Sequence, residues 1–210
     1  MSTRARASAA TRPALSSALT VKVSDAAHSS LILGAGWTGD RIMIVRCTAK
    51  ARALLTSQRL AELGPSDDDW YVNLLWFDRR KCLLLAHLGT LFPVFVPDVR
   101  KADLTRLDLW LGNVVRRELH AEGLPGDVLG DFSPPVVMAK TASRQMLGFL
   151  NEMARFAEYA IADAGGLTRC DIDVLNREQR RMLHNRDGDY VRPIELARLR
   201  QRGSSHSRQA

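Results

Sequence analysis

Two apolar runs separated by four charged residues form the strongest pattern in the chain: WYVNLLWF, then DRRK, then CLLLAHL, over 70–88. Runs of this length around a short charged stretch predict a β-hairpin with its turn at 78–81. Asp78 at the first turn position fits a type I turn. Neither run alternates strictly, so both strands are expected to be central and covered on both faces. Residues 90–96 supply a further strand, where Pro93 within it and Pro97 after it argue for an edge or a bulge.

The spacing predicts a short strand over 44–48 and a helix over 50–63, with Leu54, Leu55 and Leu60 on one side and Gly64-Pro65 as the stop. Over 101–122, Leu104, Leu107, Leu111, Val114, Val115 and Leu119 recur at helical spacing, and Gly123 closes the run. A short strand is expected at 136–139. A second long helix follows over 143–163, with Met146, Leu147, Leu150, Met153, Phe156 and Ala157 as its stripe. Weaker helical segments are expected at 174–183 and 193–202, the latter with Pro193 at its first position. The fold class is therefore α+β: a small mixed or mostly antiparallel sheet with a central hairpin, packed by two long helices.

Charge divides the 210 residues into three parts. Formally the chain carries +7, which alone invites a polyanion-binding reading. Residues 1–42 hold five basic and two acidic residues, +3; residues 192–210 hold five and one, +4. The stretch 43–191 holds twenty of each and is neutral. The domain is thus expected at 43–191, followed by a basic C-terminal helix and tail. Residues 1–42, rich in Ser, Ala and Arg, read as a disordered arm or as sequence upstream of the true start. Translation from Met43 is the expectation, since Gly39-Asp40 can be encoded with a ribosome-binding-like GGAG just before it. The run Gly34-Ala35-Gly36-Trp37-Thr38-Gly39 is a literal GxGxxG, but strand-like IMIVRC follows where a dinucleotide site needs a helix.

Cys47, Cys82 and Cys170 are odd in number and far apart, with no CxxC pair and no metal-ligand spacing to His. Reduced thiols in a cytoplasmic protein account for them. No apolar run is long enough to span a bilayer, so no membrane role is expected. Neither a metal nor a cofactor is expected.

The first candidate site is Lys140-Thr141-Ala142-Ser143-Arg144, with Asn151 two turns further on. It joins a strand end to a helix start, where backbone N–H groups and the helix dipole favour an anion. The competing reading makes Thr141 or Ser143 simply the helix N-cap. Asp78, Arg79 and Arg80 form a second candidate, a cationic knob for phosphate or an acidic partner, or else a solvated hairpin tip. Asn73 and His87 are polar residues within apolar strands, each a buried hydrogen-bonding group or a pocket residue. Asp67, Asp68 and Asp69 read as a soluble loop, lacking the spacing of a calcium-binding loop.

The blocks MIVRCTAK, DDWYVNLLWFDRRKCLLLAH with TLFPVFVP, and AKTASRQMLGFLNEM resemble a bacterial domain-of-unknown-function family with W-Y-x-N-L, D-R-R-K-C, K-T-x-S-R and L-G-x-x-N motifs. The resemblance covers about 43 to 165. It implies a stand-alone bacterial domain starting near Met43, in which both candidate blocks are shared features, and it carries no activity, cofactor or partner.

The sequence favours a non-enzymatic protein-binding or regulatory module acting through its sheet-and-helix-start region. An alternative is an enzyme or sensor for a phosphate-bearing ligand, using Lys140, Ser143, Arg144 and Asn151. A third is nucleic-acid binding through the Arg-rich tail alone, which would weaken steeply with salt.

Overall fold

The structure is a computed structural model that describes residues 43–56, 59–132 and 136–207. The extension 1–42 and its glycine run lie outside the described residues. Five strands form one mixed sheet: β1 (Met43–Cys47), β2 (Trp70–Phe77), β3 (Arg80–His87), β4 (Pro93–Val96) and β5 (Val136–Lys140), in the order β4-β3-β2-β1-β5. β2, β3 and β4 pair antiparallel, whereas β1 runs parallel to both β2 and β5. The hairpin strands β2 and β3 lie inside the sheet, as their apolar runs predict, and β4 lies at its edge, one of the two outcomes expected from Pro93 and Pro97.

Alternation along the strands sends side chains to two cores. Val45, Trp70, Val72, Leu83, Leu85 and Val94 face one side, under Leu111, Val115 and Leu119 of α2 (Leu107–Ala121). Ala51 of α1 (Ala49–Leu55) and Ile194 and Ala197 of α5 (Pro193–Ser207) belong to the same core. Tyr71, Cys82, Leu84, Ala86 and Phe95 face the other side, under Met146, Leu150, Met153 and Ala157 of α3 (Arg144–Asp163) and Leu175 of α4 (Ile172–Arg181). The two long helices therefore cover opposite faces of the sheet.

Four expectations change. The helix expected over 50–63 stops at Leu55, because the backbone beyond it pairs with β5: Ala61 N–H donates to the Met138 carbonyl at 2.9 Å, and Lys140 N–H to the Ala61 carbonyl at 3.0 Å. The helix expected from 101 starts at Leu107, after turns held by Asp103, whose Oδ2 accepts the Arg100 N–H. The hairpin turn is two residues long, since Phe77 pairs with Arg80. Asp78 and Arg79 have φ of 48° and 61°, which is the requirement of a type I′ turn and not of type I. Finally, β6 (His184–Arg186) and β7 (Asp189–Val191) form a small hairpin around Asp187-Gly188, in the stretch between the two helical segments where no element is expected.

Candidate functional site

At the junction of β5 and α3 the structure keeps Lys140, Thr141, Ser143 and Arg144 side by side. Asn151 lies on an exposed face of α3, about 12 Å further along the axis. Ser143 is the N-cap of α3, its Oγ accepting the Met146 N–H at 3.1 Å. The buried Tyr71 reaches up from β2, and its hydroxyl accepts the N–H groups of Ser143 (3.0 Å) and Ala142 (3.4 Å). Three backbone donors that would serve an anion are thus taken by the protein. Lys140 Nζ meets Glu62 at 2.5 Å with both side chains more than half exposed. That hydrogen bond lowers the Glu62 pKa, and an exposed pair of this kind contributes little stability. Arg144 is exposed.

The secondary candidates do not converge. Asn73 Oδ1 accepts from the Thr48 hydroxyl at 2.9 Å, while that hydroxyl accepts the Ala51 N–H and caps α1. At the hairpin tip, Asp78 Oδ2 accepts the Leu167 N–H at 2.6 Å, so the tip is docked against the loop that follows α3. Arg79 is exposed, and Arg80 pairs with Asp98 at 3.4 Å. His87 is fully buried: its Nδ1 accepts the Thr90 N–H (3.2 Å) and lies 3.0 Å from the Thr90 hydroxyl. Burial, with the charges of Arg200 and Arg186, lowers its pKa to about 3, so the ring is neutral.

Sequence reasoning missed a buried charge cluster centred on β1. Arg46 sits on β1 between Val45 and Cys47, fully buried on the face opposite theirs. Its Nε donates to Asp69 Oδ2 at 2.5 Å, and Nη1 to the carbonyls of Lys140 (2.7 Å) and Leu63 (3.1 Å). Nη2 donates to the Gly64 carbonyl. One guanidinium therefore ties the 63–69 loop to the sheet. Asp69, expected in a soluble loop, has a side chain only 1% exposed.

Beside this pair lies a cleft of about 190 Å³. Among the described residues it is lined by Ser66, Asp68, Asp69 and Asp131 and by Met43, Ile44, Trp70, Leu129, Gly130 and Phe132. Asp68 is bridged to Arg200 of α5, which also donates to the Val128 carbonyl at 3.1 Å. Asp69 Oδ2 accepts from Arg46 and from the Ser66 N–H (2.9 Å), whereas Oδ1 is buried and meets no donor among the described residues. Trp70 packs between His87 (5.2 Å between centroids) and Phe132 (5.9 Å). The sequence signal was present in the acidic triplet, but its third member pairs with a residue 23 positions away.

A second shallow cleft of about 140 Å³ lies between α2 and α4. Arg180 donates there to Glu118 (2.6 Å) and Glu122 (3.2 Å) and stacks over Phe92 at 4.5 Å, while Arg181 takes the other Glu122 oxygen at 2.7 Å. These ion pairs pin α4 to α2. Among the described residues no group of three His, Cys, Asp or Glu could hold a metal ion, and no helix is long and apolar enough to cross a membrane.

Comparison with known proteins adds one match. A family model described as a domain of unknown function, DUF6933, covers residues 44–196. A search of curated proteins finds no match.

Proposed function

We propose that this chain, which belongs to the domain-of-unknown-function family DUF6933, is a non-enzymatic binding module that engages a protein partner at the aspartate-lined cleft. The observation that carries the reading is Asp69 Oδ1, a buried carboxylate oxygen of a cleft-lining residue that meets no donor among the described residues. Leaving such an acceptor unsatisfied costs about 1–3 kcal/mol. A donor brought in by a partner removes that cost. Size favours one inserted side chain over a whole small molecule: the cleft's 190 Å³ falls below the roughly 300–1,000 Å³ of typical small-molecule sites.

Binding also suits the state of the nearby groups better than catalysis does. His87 is neutral and committed to Thr90, and burial raises the Cys47 thiol to about 11, far from a reactive thiolate. The free thiols Cys47, Cys82 and Cys170 suit a reducing compartment, and we assign the module to the bacterial cytoplasm.

The test is site-specific photo-crosslinking in extract of the native host, with the full chain carrying the photoreactive residue at Asp131 on the cleft rim or at Arg144 on the helix start. The expected result is one protein captured from position 131 and not from 144, and lost when Asp69→Asn is added. Capture from position 144 alone moves the interface to the helix start and overturns the cleft reading.

A further inference from the structure

We propose that the outer end of the central hairpin is a docking surface for single-stranded nucleic acid, with one base stacked on Trp76 and the neighbouring phosphates held by Arg79, Arg80 and Arg100. This surface does not depend on the role assigned to the cleft. Trp70, which lines the cleft, and Trp76 stand at opposite ends of β2, about 20 Å apart along the strand.

Positive charge gathers at this end although the stretch 43–191 is neutral as a whole. Two segments meet here, 78–81 and 98–101, joined by the Val99 N–H donating to the Lys81 carbonyl at 2.7 Å. They carry Arg79, Arg80, Lys81, Arg100 and Lys101 against Asp78 and Asp98. With Asp103 included, whose Oδ2 accepts the Arg100 N–H, five basic residues still stand against three acidic ones. The acids are shared or engaged elsewhere. Arg80 and Arg100 both reach one oxygen of Asp98, each at 3.4 Å, and Asp78 Oδ2 accepts the Leu167 N–H. Among the described residues Arg79, Lys81 and Lys101 meet no carboxylate. Arg79 moreover holds φ of 61° at the second central position of a type I′ turn, where glycine is favoured. Backbone strain of this kind collects at binding sites.

An aromatic ring stands among these cations. Trp76 lies directly across from Lys81, whose Nζ sits over the indole 5.7 Å from its centroid. Alternation puts Trp76 on the same face as Val72 and Leu74, yet the core ends at Leu74: Leu74 is 9% exposed and Trp76 57%. The large apolar surface of an indole is thus left mostly in water, oriented by one cation and flanked by others.

This chemistry selects the partner. Guanidinium groups along a strand end match a run of phosphates, and an indole beside them matches the face of a base. A duplex keeps its base faces stacked inside, so an open ring calls for a single strand. A free nucleotide needs a concave site, and these side chains line neither cleft described above. An acidic peptide would use the cations and leave the ring idle. A lipid surface calls for a broader apolar face than one exposed tryptophan.

The test is fluorescence anisotropy of a labelled oligothymidylate of about twelve nucleotides with the full chain, over a series of salt concentrations. Affinity should fall with salt at a log–log slope of about −2, the value for roughly three phosphate contacts on a single strand. Trp76→Ala should weaken binding at least about fivefold with the slope unchanged, the effect of losing one stacked base, and Trp76→Phe should recover most of it. Arg79→Gln should flatten the slope by about 0.7. Arg79 is exposed, so that variant reads the site even where Trp76→Ala fails to fold. An abasic oligomer of the same length should bind the native chain as weakly as oligothymidylate binds Trp76→Ala. No binding, or binding that the Trp76 and Arg79 variants leave unchanged, overturns the proposal. Equal affinity for the abasic oligomer overturns the stacked base and makes the surface a polyanion site. Loss of binding in Arg198→Gln, an exposed position on α5, with Arg79→Gln unaffected moves the contact to the C-terminal helix and overturns it too. Binding of phosphatidylserine vesicles that Trp76→Ala abolishes, with no binding of the oligomer, assigns the surface to a membrane instead.

Discussion

Asn176 pairs with Phe95 through both atoms of its side-chain amide. Its Oδ1 accepts the Phe95 N–H at 2.6 Å and its Nδ2 donates to the Phe95 carbonyl at 3.0 Å. Phe95 lies on β4, the edge strand, so a side chain of α4 occupies the place of a neighbouring strand. Arg180, one turn later, does the same for the Pro93 carbonyl at 3.3 Å. An edge blocked in this way is not open for pairing with a second chain.

Asn176→Ala should therefore cost roughly 2–4 kcal/mol, because it strands a buried donor and a buried acceptor together. Urea unfolding should show a lower midpoint with an unchanged slope. A loss below about 0.5 kcal/mol would mean that the edge relaxes onto other partners.

What the sequence makes legible here is whatever is local. The β2–β3 hairpin reads directly from its apolar runs, and Ser143 from its position before a helical stripe. The helix over 50–63 is overrun because Leu60 keeps the helical spacing, while the backbone of Ala61 is claimed by a strand nearly eighty residues later. Arg46 gives no warning, since an arginine inside a short strand usually marks an exposed position, and its partners lie 17 to 94 residues away. The cleft depends on that pairing and stays hidden with it. By contrast, Asp187-Gly188 is a local hairpin signal, and the strands it joins escape the reading because three residues on each side carry too short an apolar pattern.

The Arg46–Asp69 pair yields a second prediction. Arg46→Met leaves a buried carboxylate unpaired, and the loss of stability should be about 3–5 kcal/mol. Adding Asp69→Asn removes that stranded charge, so the double variant should be more stable than Arg46→Met alone by at least about 1 kcal/mol. Strictly additive losses in a double-mutant cycle would show that the two side chains do not act as a pair.

His87 gives the chain a dependence on pH with a definite sign. Burial is the main cause of its lowered pKa, about 3 against an ordinary 6.5, and Arg200 and Arg186 reinforce it. A base whose pKa falls on folding favours the native state while it is neutral. This contribution is fully present above about pH 6.5 and is lost as pH falls toward about 3, as the unfolded chain takes up the proton. The slope should approach 1.4 kcal/mol per pH unit. Comparing denaturation of the native chain and His87→Gln at pH 7 and pH 5 separates the His87 contribution from that of the carboxylates. A difference in stability between the two proteins that does not change with pH would refute it.

The turn of the central hairpin is held in a conformation that its residues resist. Arg79 has φ of 61° and an exposed side chain, while Asp78, at φ of 48°, accepts the Leu167 N–H. The left-handed region costs a residue with a Cβ roughly 1–2 kcal/mol, and glycine avoids that cost at some expense in unfolded-state entropy. Arg79→Gly should thus stabilise the chain by about 0.5–1 kcal/mol. Asp78→Gly should do the opposite, because relief of the backbone is offset by the stranded Leu167 donor. Thermal melts of the two variants should move in opposite directions. If both rise, the Asp78–Leu167 bond contributes nothing to the docking of the tip.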